Sequence, residues 1–213
     1  MPHIIISLDG SIGAGKSKML EAIREQIPEI NIVAEPVDQW TYLANKNGQN
    51  MLELFYEDKK RWGYTFQTCA LLTRQKNMQA MINQLSGSQI ILTERSILTD
   101  KHIFAEMLHR TGDLSLIEWD LYNMLFDTIS QQQSVHAIIY LSTGSVTCRE
   151  RIGIRGRPEE ETISLNYLDE LHKQHQTWLE NPGVPVLTLS TEQNSSVDKN
   201  IQLIKQFIAT LRQ

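Results

Sequence analysis

Residues 10–17, GSIGAGKS, carry the pattern G-x-x-x-x-G-K-[ST], which sets a lysine and a hydroxyl behind a glycine-rich turn. The chemistry open to such a turn is anion binding. Glycines let the backbone turn tightly enough for successive N–H groups to face phosphate oxygens, and the helix that follows adds its dipole. In such a loop Lys16 reaches β- and γ-phosphates and the Ser17 hydroxyl ligates Mg²⁺. Gly10, Ser11, Ile12, Gly13, Ala14, Gly15, Lys16, Ser17 and Lys18 are thus expected to hold the phosphates of ATP or another nucleoside triphosphate. The reading requires a strand before the loop and a helix behind it, and HIIISL and MLEAI supply them.

Three further clusters could do chemistry. AEPVDQW ends a second strand-like run and puts Glu35 at a strand C-terminus, beside the crevice where open α/β sheets bind ligands; Trp40 follows as a flat wall. ILTERS delivers Glu94 and Arg95 from a buried strand, and the strand beside a phosphate-loop strand normally ends in an acid that serves Mg²⁺. RERIGIRGRPEEE sets Arg149, Arg151, Arg155 and Arg157 before Glu159, Glu160 and Glu161. A charged surface helix would explain that cluster, and so would a lid (about residues 149–161) closing its guanidinium groups over a triphosphate.

The elements that must position these groups follow a βαβ rhythm. Strands are expected at 3–8, 31–34, 89–93, 136–141 and 185–189, and helices at 51–61, 64–85, 97–110, 114–131, 159–179 and 197–211. Runs such as IIIS, IILT and AIIYL are apolar on both faces, as a covered parallel sheet demands. The breaks at Ser86-Gly87-Ser88, Thr143-Gly144-Ser145 and Asn181-Pro182-Gly183 are too short for linkers, so 1–213 is expected to be one domain. Hydrophobic residues make up 41% and charged residues 21%, ordinary values for a globular protein, and the net charge of −5 argues against a nucleic-acid surface. No run is long and apolar enough to span a membrane, and the first strand leaves no room for a targeting segment, so a cytoplasmic location is expected. Cys69 and Cys148 are expected as two buried thiols rather than a disulfide. His172 and His175 share a helix face at i, i+3, but no Cys or carboxylate completes a zinc set; His175 is expected to pack inward with Leu168, Leu171 and Trp178.

Six ordered segments extend this reading: GSIGAGKS, EPVDQW, LELFYEDKKRWGYTFQ, ERSILTDKHIFAE, RIGIRGRPEE and NYLDELHKQHQTWL. Together they resemble the deoxynucleoside kinase family, the enzymes of deoxycytidine, deoxyguanosine and deoxyadenosine salvage, over essentially the whole chain. The resemblance implies an α/β P-loop kinase fold with a five-stranded parallel sheet flanked by helices, an Arg-rich lid, and a homodimer. It implies ATP-dependent phosphorylation of the 5′-hydroxyl of a deoxynucleoside. By the same likeness Glu35 is the general base, Arg95 holds that base and the 5′-oxygen, and Glu94 serves Mg²⁺ through water. Tyr56 and Glu160 bind the sugar 3′-hydroxyl, Gln67 reads the base edge, Phe66 and Phe104 flank the base, and Trp40 lines the pocket. Lys16, Arg151, Arg155 and Arg157 stabilise charge on the transferring group.

Arg74 and Asp100 match an Arg/Asp pair of the deoxycytidine and deoxyguanosine kinases. Such a pair offers donors to a purine and an acceptor to an exocyclic amine, but sets acceptor against acceptor at thymine O4. Purine deoxynucleosides and deoxycytidine are therefore expected over thymidine. The methionine-containing helices 74–85 and 117–129 are candidates for a dimer face or for ordinary core. LTLSTEQN matches the loop that contacts the donor base, largely through backbone. Two rivals remain at this stage: a nucleoside monophosphate kinase resembling thymidylate kinase, which would gain nothing from a base at Glu35, and a non-catalytic nucleotide-binding subunit, which would be expected to have lost reacting-centre residues that are all present.

Overall fold

The computed structural model describes residues 3–131 and 134–212; residues 1, 2, 132, 133 and 213 of the expected 1–213 domain lie outside the described residues. Five strands form one parallel sheet: β1 (Ile4–Asp9), β2 (Asn31–Val33), β3 (Ile90–Glu94), β4 (Ala137–Ser142) and β5 (Val186–Ser190), in the order β2-β3-β1-β4-β5. The three inner strands are buried on both faces, which is why their sequences are continuous runs of Ile, Leu and Ala rather than alternating ones. The edge strands β2 and β5 keep half-exposed positions.

Strand order reverses at β1, so the crevice beyond the carboxyl ends of β1, β3 and β4 is the natural place for a ligand. Register fixes what stands there: Leu8 lies opposite Glu94, and Asp9 opposite Tyr140. The phosphate loop runs from β1 into α1 (Lys16–Gln26), with Gly15 in the left-handed conformation at the cap.

Some expected elements shift, each for a local reason. A helix absent from the expectation, α2 (Val37–Tyr42), begins behind Pro36. Expected helices 51–61 and 64–85 divide instead at Asp58, into α3 (Met51–Glu57) and α4 (Lys59–Gln84), because the Asp58 carboxylate caps α4 through the Arg61 N–H at 2.9 Å. The stretch 97–110 is helical throughout, but between α5 (Ile97–Thr99) and α6 (Glu106–Arg110) it widens into a π-helix, Asp100–Ala105. Helix α7 (Leu116–Ser130) starts two residues later than expected, at a Ser115/Glu118 capping box. No helix was expected at α8 (Ser145–Arg155), which forms the first half of the lid and stops at the left-handed Gly156. A short 3₁₀ turn, Pro158–Glu160, follows, so α9 (Leu165–Leu179) begins later than 159. Helix α10 (Val197–Leu211) closes the chain against α1 and β5.

Inside the lid's far helix, His175 is buried with Leu168, Leu171 and Trp178; its Nδ1 lies 2.7 Å from the Leu171 carbonyl and its ring stacks on Tyr140. Both cysteines are free, Cys148 buried but Cys69 only half-buried. On the outside, α7 exposes Leu116, Ile117, Leu121 and Met124, and α4, against which it packs, exposes Leu72. No helix among the described residues is long and apolar enough to cross a membrane.

Candidate active site

One cleft of about 580 Å³ opens at the carboxyl edge of the sheet. Its phosphate-loop side is lined by Ile12, Gly13, Gly15, Lys16, Ser17 and Lys18. Gly10, Ser11 and Ala14 stand behind this lining and hold the loop in shape. The Lys16 ammonium donates to the carbonyls of Gly10 at 3.1 Å and Ser11 at 3.0 Å, while the Ala14 carbonyl accepts from the Thr191 hydroxyl at 2.9 Å. Gly13 has φ +83°, and a Cβ there would run into the Cys148 carbonyl, so the loop can lie against α8 only with glycine at this position. From α8, Arg151 donates to the Thr191 carbonyl at 2.6 Å, which ties the lid helix to the loop after β5. Burial, reinforced by the nearby Arg95 guanidinium, draws the Lys16 ammonium down to about 8.

Across the cleft lies a buried ion network. Arg95 Nη1 donates to both oxygens of Glu35, at 2.7 and 2.8 Å, and its Nη2 donates to the Gly10 carbonyl at 3.3 Å. Arg74 donates through Nη2 to Glu35 at 3.2 Å, and through Nε and Nη2 to the two oxygens of Asp100 at 2.8 and 3.1 Å. Its Nη1 donates to the Glu94 carbonyl at 2.7 Å. Burial alone would raise the Glu35 carboxyl; the guanidiniums of Arg95 and Arg74 and the Lys16 ammonium outweigh it and hold the group at about 2. Arg95 is held in the left-handed region at φ +59°, the one non-glycine residue so placed among the described residues, and the Thr93 hydroxyl donates to its carbonyl at 2.8 Å. Strain of this kind collects where a side chain must be aimed.

These contacts revise one expectation. Of the five N–H donors on a guanidinium, Arg74 commits four to protein partners, leaving a single Nη1 hydrogen for a ligand. Asp100 accepts once on each oxygen and retains acceptor capacity.

The remaining walls are aromatic and amide. Phe66 stacks on Phe55 at 4.5 Å and meets Trp40 edge-on at 5.2 Å, and Trp40 is itself fixed by donating its indole N–H to Thr73 at 3.0 Å. Gln67 lines the cleft, and its buried Oε1 has no partner. From the π-helix, Phe104 lies 5.1 Å beneath the Arg95 guanidinium. Tyr56 also lines the cleft; burial, then the neighbouring Tyr167 and Glu160, push its phenol well up. Glu160 makes no hydrogen bond to Tyr56. Its carboxylate instead accepts from Arg155 Nε at 3.1 Å and from Arg155 Nη2, and Arg157 Nη1 lies 3.5 Å away. Glu94 and the exposed Ser17 complete the lining expected from the sequence.

Sequence reasoning missed Phe55, Leu52, Ala70, Val37 and Asp38 on one side, and Thr191, Glu192, Gln193, Ser195, Val197 and Asn200 on the other. The LTLSTEQN loop, residues 187–194, was the only signal for Thr191, Glu192 and Gln193, and nothing marked Ser195, Val197 or Asn200. It also passed over Asp9, which is fully buried, accepts a hydrogen bond from the Thr99 hydroxyl, and has its carboxyl raised by burial.

A phosphate loop, a buried carboxylate–guanidinium network and an arginine-rich lid around one cleft define a P-loop kinase. A family model described as deoxynucleoside kinase matches residues 6–211. The chain is 33% identical to human deoxycytidine kinase over 237 aligned residues, covering 97% of this chain and 91% of the human protein. It is 33% identical to a mitochondrial deoxyguanosine kinase of Xenopus laevis, covering 97% and 90%, and 32% identical to deoxycytidine kinase 2 of Gallus gallus, covering 91% and 84%. The chain belongs to the deoxynucleoside kinase family and is an enzyme that phosphorylates deoxynucleosides for nucleotide salvage. Neither rival reading is favoured.

The state of Lys16 gives a pH signature. With the ammonium at about 8, kcat/KM for the triphosphate donor should fall as pH rises through about 8, because the neutral amine no longer attracts phosphate. At saturating donor kcat should hold to higher pH, since bound phosphate returns the proton to the lysine. A kcat/KM profile flat from about pH 7 to pH 10 would show that Lys16 stays charged throughout.

Proposed function

We propose that the enzyme transfers the γ-phosphoryl group of ATP, or of another nucleoside triphosphate, to the 5′-hydroxyl of a purine deoxynucleoside or deoxycytidine, in preference to thymidine. The observation that carries this reading is the Glu35 carboxylate, gripped by Arg95 and Arg74 in the same cleft as Lys16. Phosphoryl transfer needs an in-line nucleophile, neutralised charge and exclusion of water rather than covalent help. At about 2, Glu35 is ionised at every working pH, so it accepts the hydroxyl's hydrogen bond from the start and takes the proton only as the new bond forms. Arg95 holds both Glu35 and the 5′-oxygen. Lys16 and the lid residues Arg151, Arg155 and Arg157 balance charge on the transferring group.

The donor set fits Mg²⁺, which takes one or two protein oxygens and completes its shell with phosphate and water; Ser17 and Glu94 share the cleft. When bound, the ion neutralises charge on the β- and γ-oxygens. On the nucleoside side, Tyr56 and Glu160 bind the 3′-hydroxyl, Phe66 and Phe104 flank the base, Trp40 closes the wall, and Gln67 reads the base edge, a reading its unpartnered Oε1 supports. Asp100 accepts from an exocyclic amine and opposes thymine O4.

The exposed face of Leu116, Ile117, Leu121 and Met124 on α7, with Leu72 on α4, supports a homodimer formed across these helices. We read the chain as one kinase domain of the cytoplasm, in keeping with its free cysteines.

Three measurements test these assignments. A steady-state assay with the four natural deoxynucleosides, ATP and Mg²⁺ should give turnover, and Glu35→Gln should lower kcat about 10²-fold or more with nucleoside binding near normal. Retained turnover would remove Glu35 as the base. Replacing Arg74 with Met and Asp100 with Ala together avoids stranding one buried charge. Glu35 loses a partner in that variant and overall rate should drop, so the comparison is between bases: the thymidine-to-deoxyadenosine ratio of kcat/KM should rise about 10²-fold. An unchanged order of preference in a variant that still melts normally would assign base choice to Gln67 and pocket shape. Light scattering should give twice the chain mass for the unaltered protein and a monomer for Ile117→Glu; a monomer in both would exclude the dimer.

A further inference from the structure

Asn50 holds the lid from outside the cleft, and the roles above make no use of it. It stands at the N-cap of α3, the helix that carries Phe55 and Tyr56. Its Oδ1 accepts from the N–H groups of Leu52 and Glu53, each at 3.0 Å, and the Glu53 carboxylate accepts the Asn50 N–H at 2.6 Å, a complete capping box. The other end of the same amide is engaged elsewhere: Nδ2 donates at 3.2 Å to the Glu159 carboxylate, 109 residues along the chain in the lid turn Pro158–Glu160.

The next residue, Glu160, carries Arg155 and Arg157 on its carboxylate. One amide therefore joins the helix bearing Tyr56 to the turn bearing Glu160 and, through Glu160, to two lid arginines. The cap by itself does not call for asparagine, because aspartate and serine cap a helix as well. Among these three only asparagine has a donor atom separate from the capping oxygen, since serine's one hydroxyl sits at the cap itself. Within the turn Glu160 is the only buried residue, and nearby Ile154 lies 87% exposed.

We propose that Asn50 is a positioning residue, whose bond to Glu159 sets the lid turn in register on α3 so that Tyr56 and Glu160 flank the sugar together. The proposal rests on the 3′-hydroxyl reading of Tyr56 and Glu160 given above. It assigns to the strap the simultaneity of their contacts, and with it the arrival of Arg155 and Arg157 over the phosphates.

Asn50→Asp tests it, because aspartate keeps the cap oxygen but faces Glu159 with a like charge. The readout is the ratio of kcat/KM for a 2′-deoxynucleoside to that for its 2′,3′-dideoxy analogue. That ratio should fall about 10-fold or more, the scale of a lost hydrogen bond to a charged group, while the melting temperature stays close to that of the parent. Adding Glu159→Gln to Asn50→Asp lets the amide and carboxylate exchange places, and the ratio should recover. Asn50→Ser, which retains a cap hydroxyl but lacks the separate Nδ2 that reaches Glu159, gives a second reading and should lower the ratio too. An unchanged ratio in Asn50→Asp and Asn50→Ser, alongside a reduced one in Tyr56→Phe, would overturn the strap alone. A loss that Glu159→Gln fails to restore would also overturn it, by showing a merely structural effect. If Tyr56→Phe and Glu160→Ala themselves leave the ratio at the parental value, the sugar-site reading falls and the strap falls with it.

Discussion

A carboxylate largely removed from water must be matched by cations, and at the part-buried Glu35 that requirement organises the site. Arg95 and Arg74 both bond to it, and Arg74 is itself neutralised by Asp100. The four residues arrive from separate places: the loop after β2, the end of β3, the middle of α4 and the start of the π-helix. Removing one partner would leave a buried charge exposed to a low dielectric, a far larger loss than the net worth of the pair. The network thus clamps four segments at one edge of the sheet and keeps the Glu35 carboxylate ionised. The left-handed Arg95 and the π-helical turn at Asp100 are the backbone distortions that aim its members.

The donor half is built differently. Its contacts run mainly through backbone: carbonyls of Gly10 and Ser11 on Lys16, the Ala14 carbonyl on Thr191, the Thr191 carbonyl on Arg151. Its carbonyls are pinned by the side chains of Lys16, Thr191 and Arg151, which fixes the loop's shape. The burial that fixes Lys16 inside the phosphate loop also weakens its hold on a proton.

The lid links the halves. Arg155 and Arg157 are gathered on Glu160, and all three line the cleft. A displacement of Glu160 would therefore also move the two arginines paired with it.

The sequence alone determined the local chemistry: the phosphate loop, because its glycine spacing is a backbone requirement, and the five parallel strands, because burial on both faces demands unbroken apolar runs. It also marked Glu35, Arg95, the lid arginines and the Arg74/Asp100 pair as chemistry-bearing. Tertiary structure alone decided how those charges are shared. No spacing in the chain reveals that Arg74 reaches Glu35 as well as Asp100, or that Asn50 spans from α3 to Glu159, since each is a contact between segments far apart in the chain. Helix α8 escaped notice because it starts at a Gly-Ser break and carries three arginines along its length, so its few buried residues, Cys148 and Ile152 among them, give little periodic signal. Phe55 and the residues after β5 were equally silent: an apolar residue looks the same facing a core or a cleft, and a loop that works through its carbonyls carries no side-chain signature.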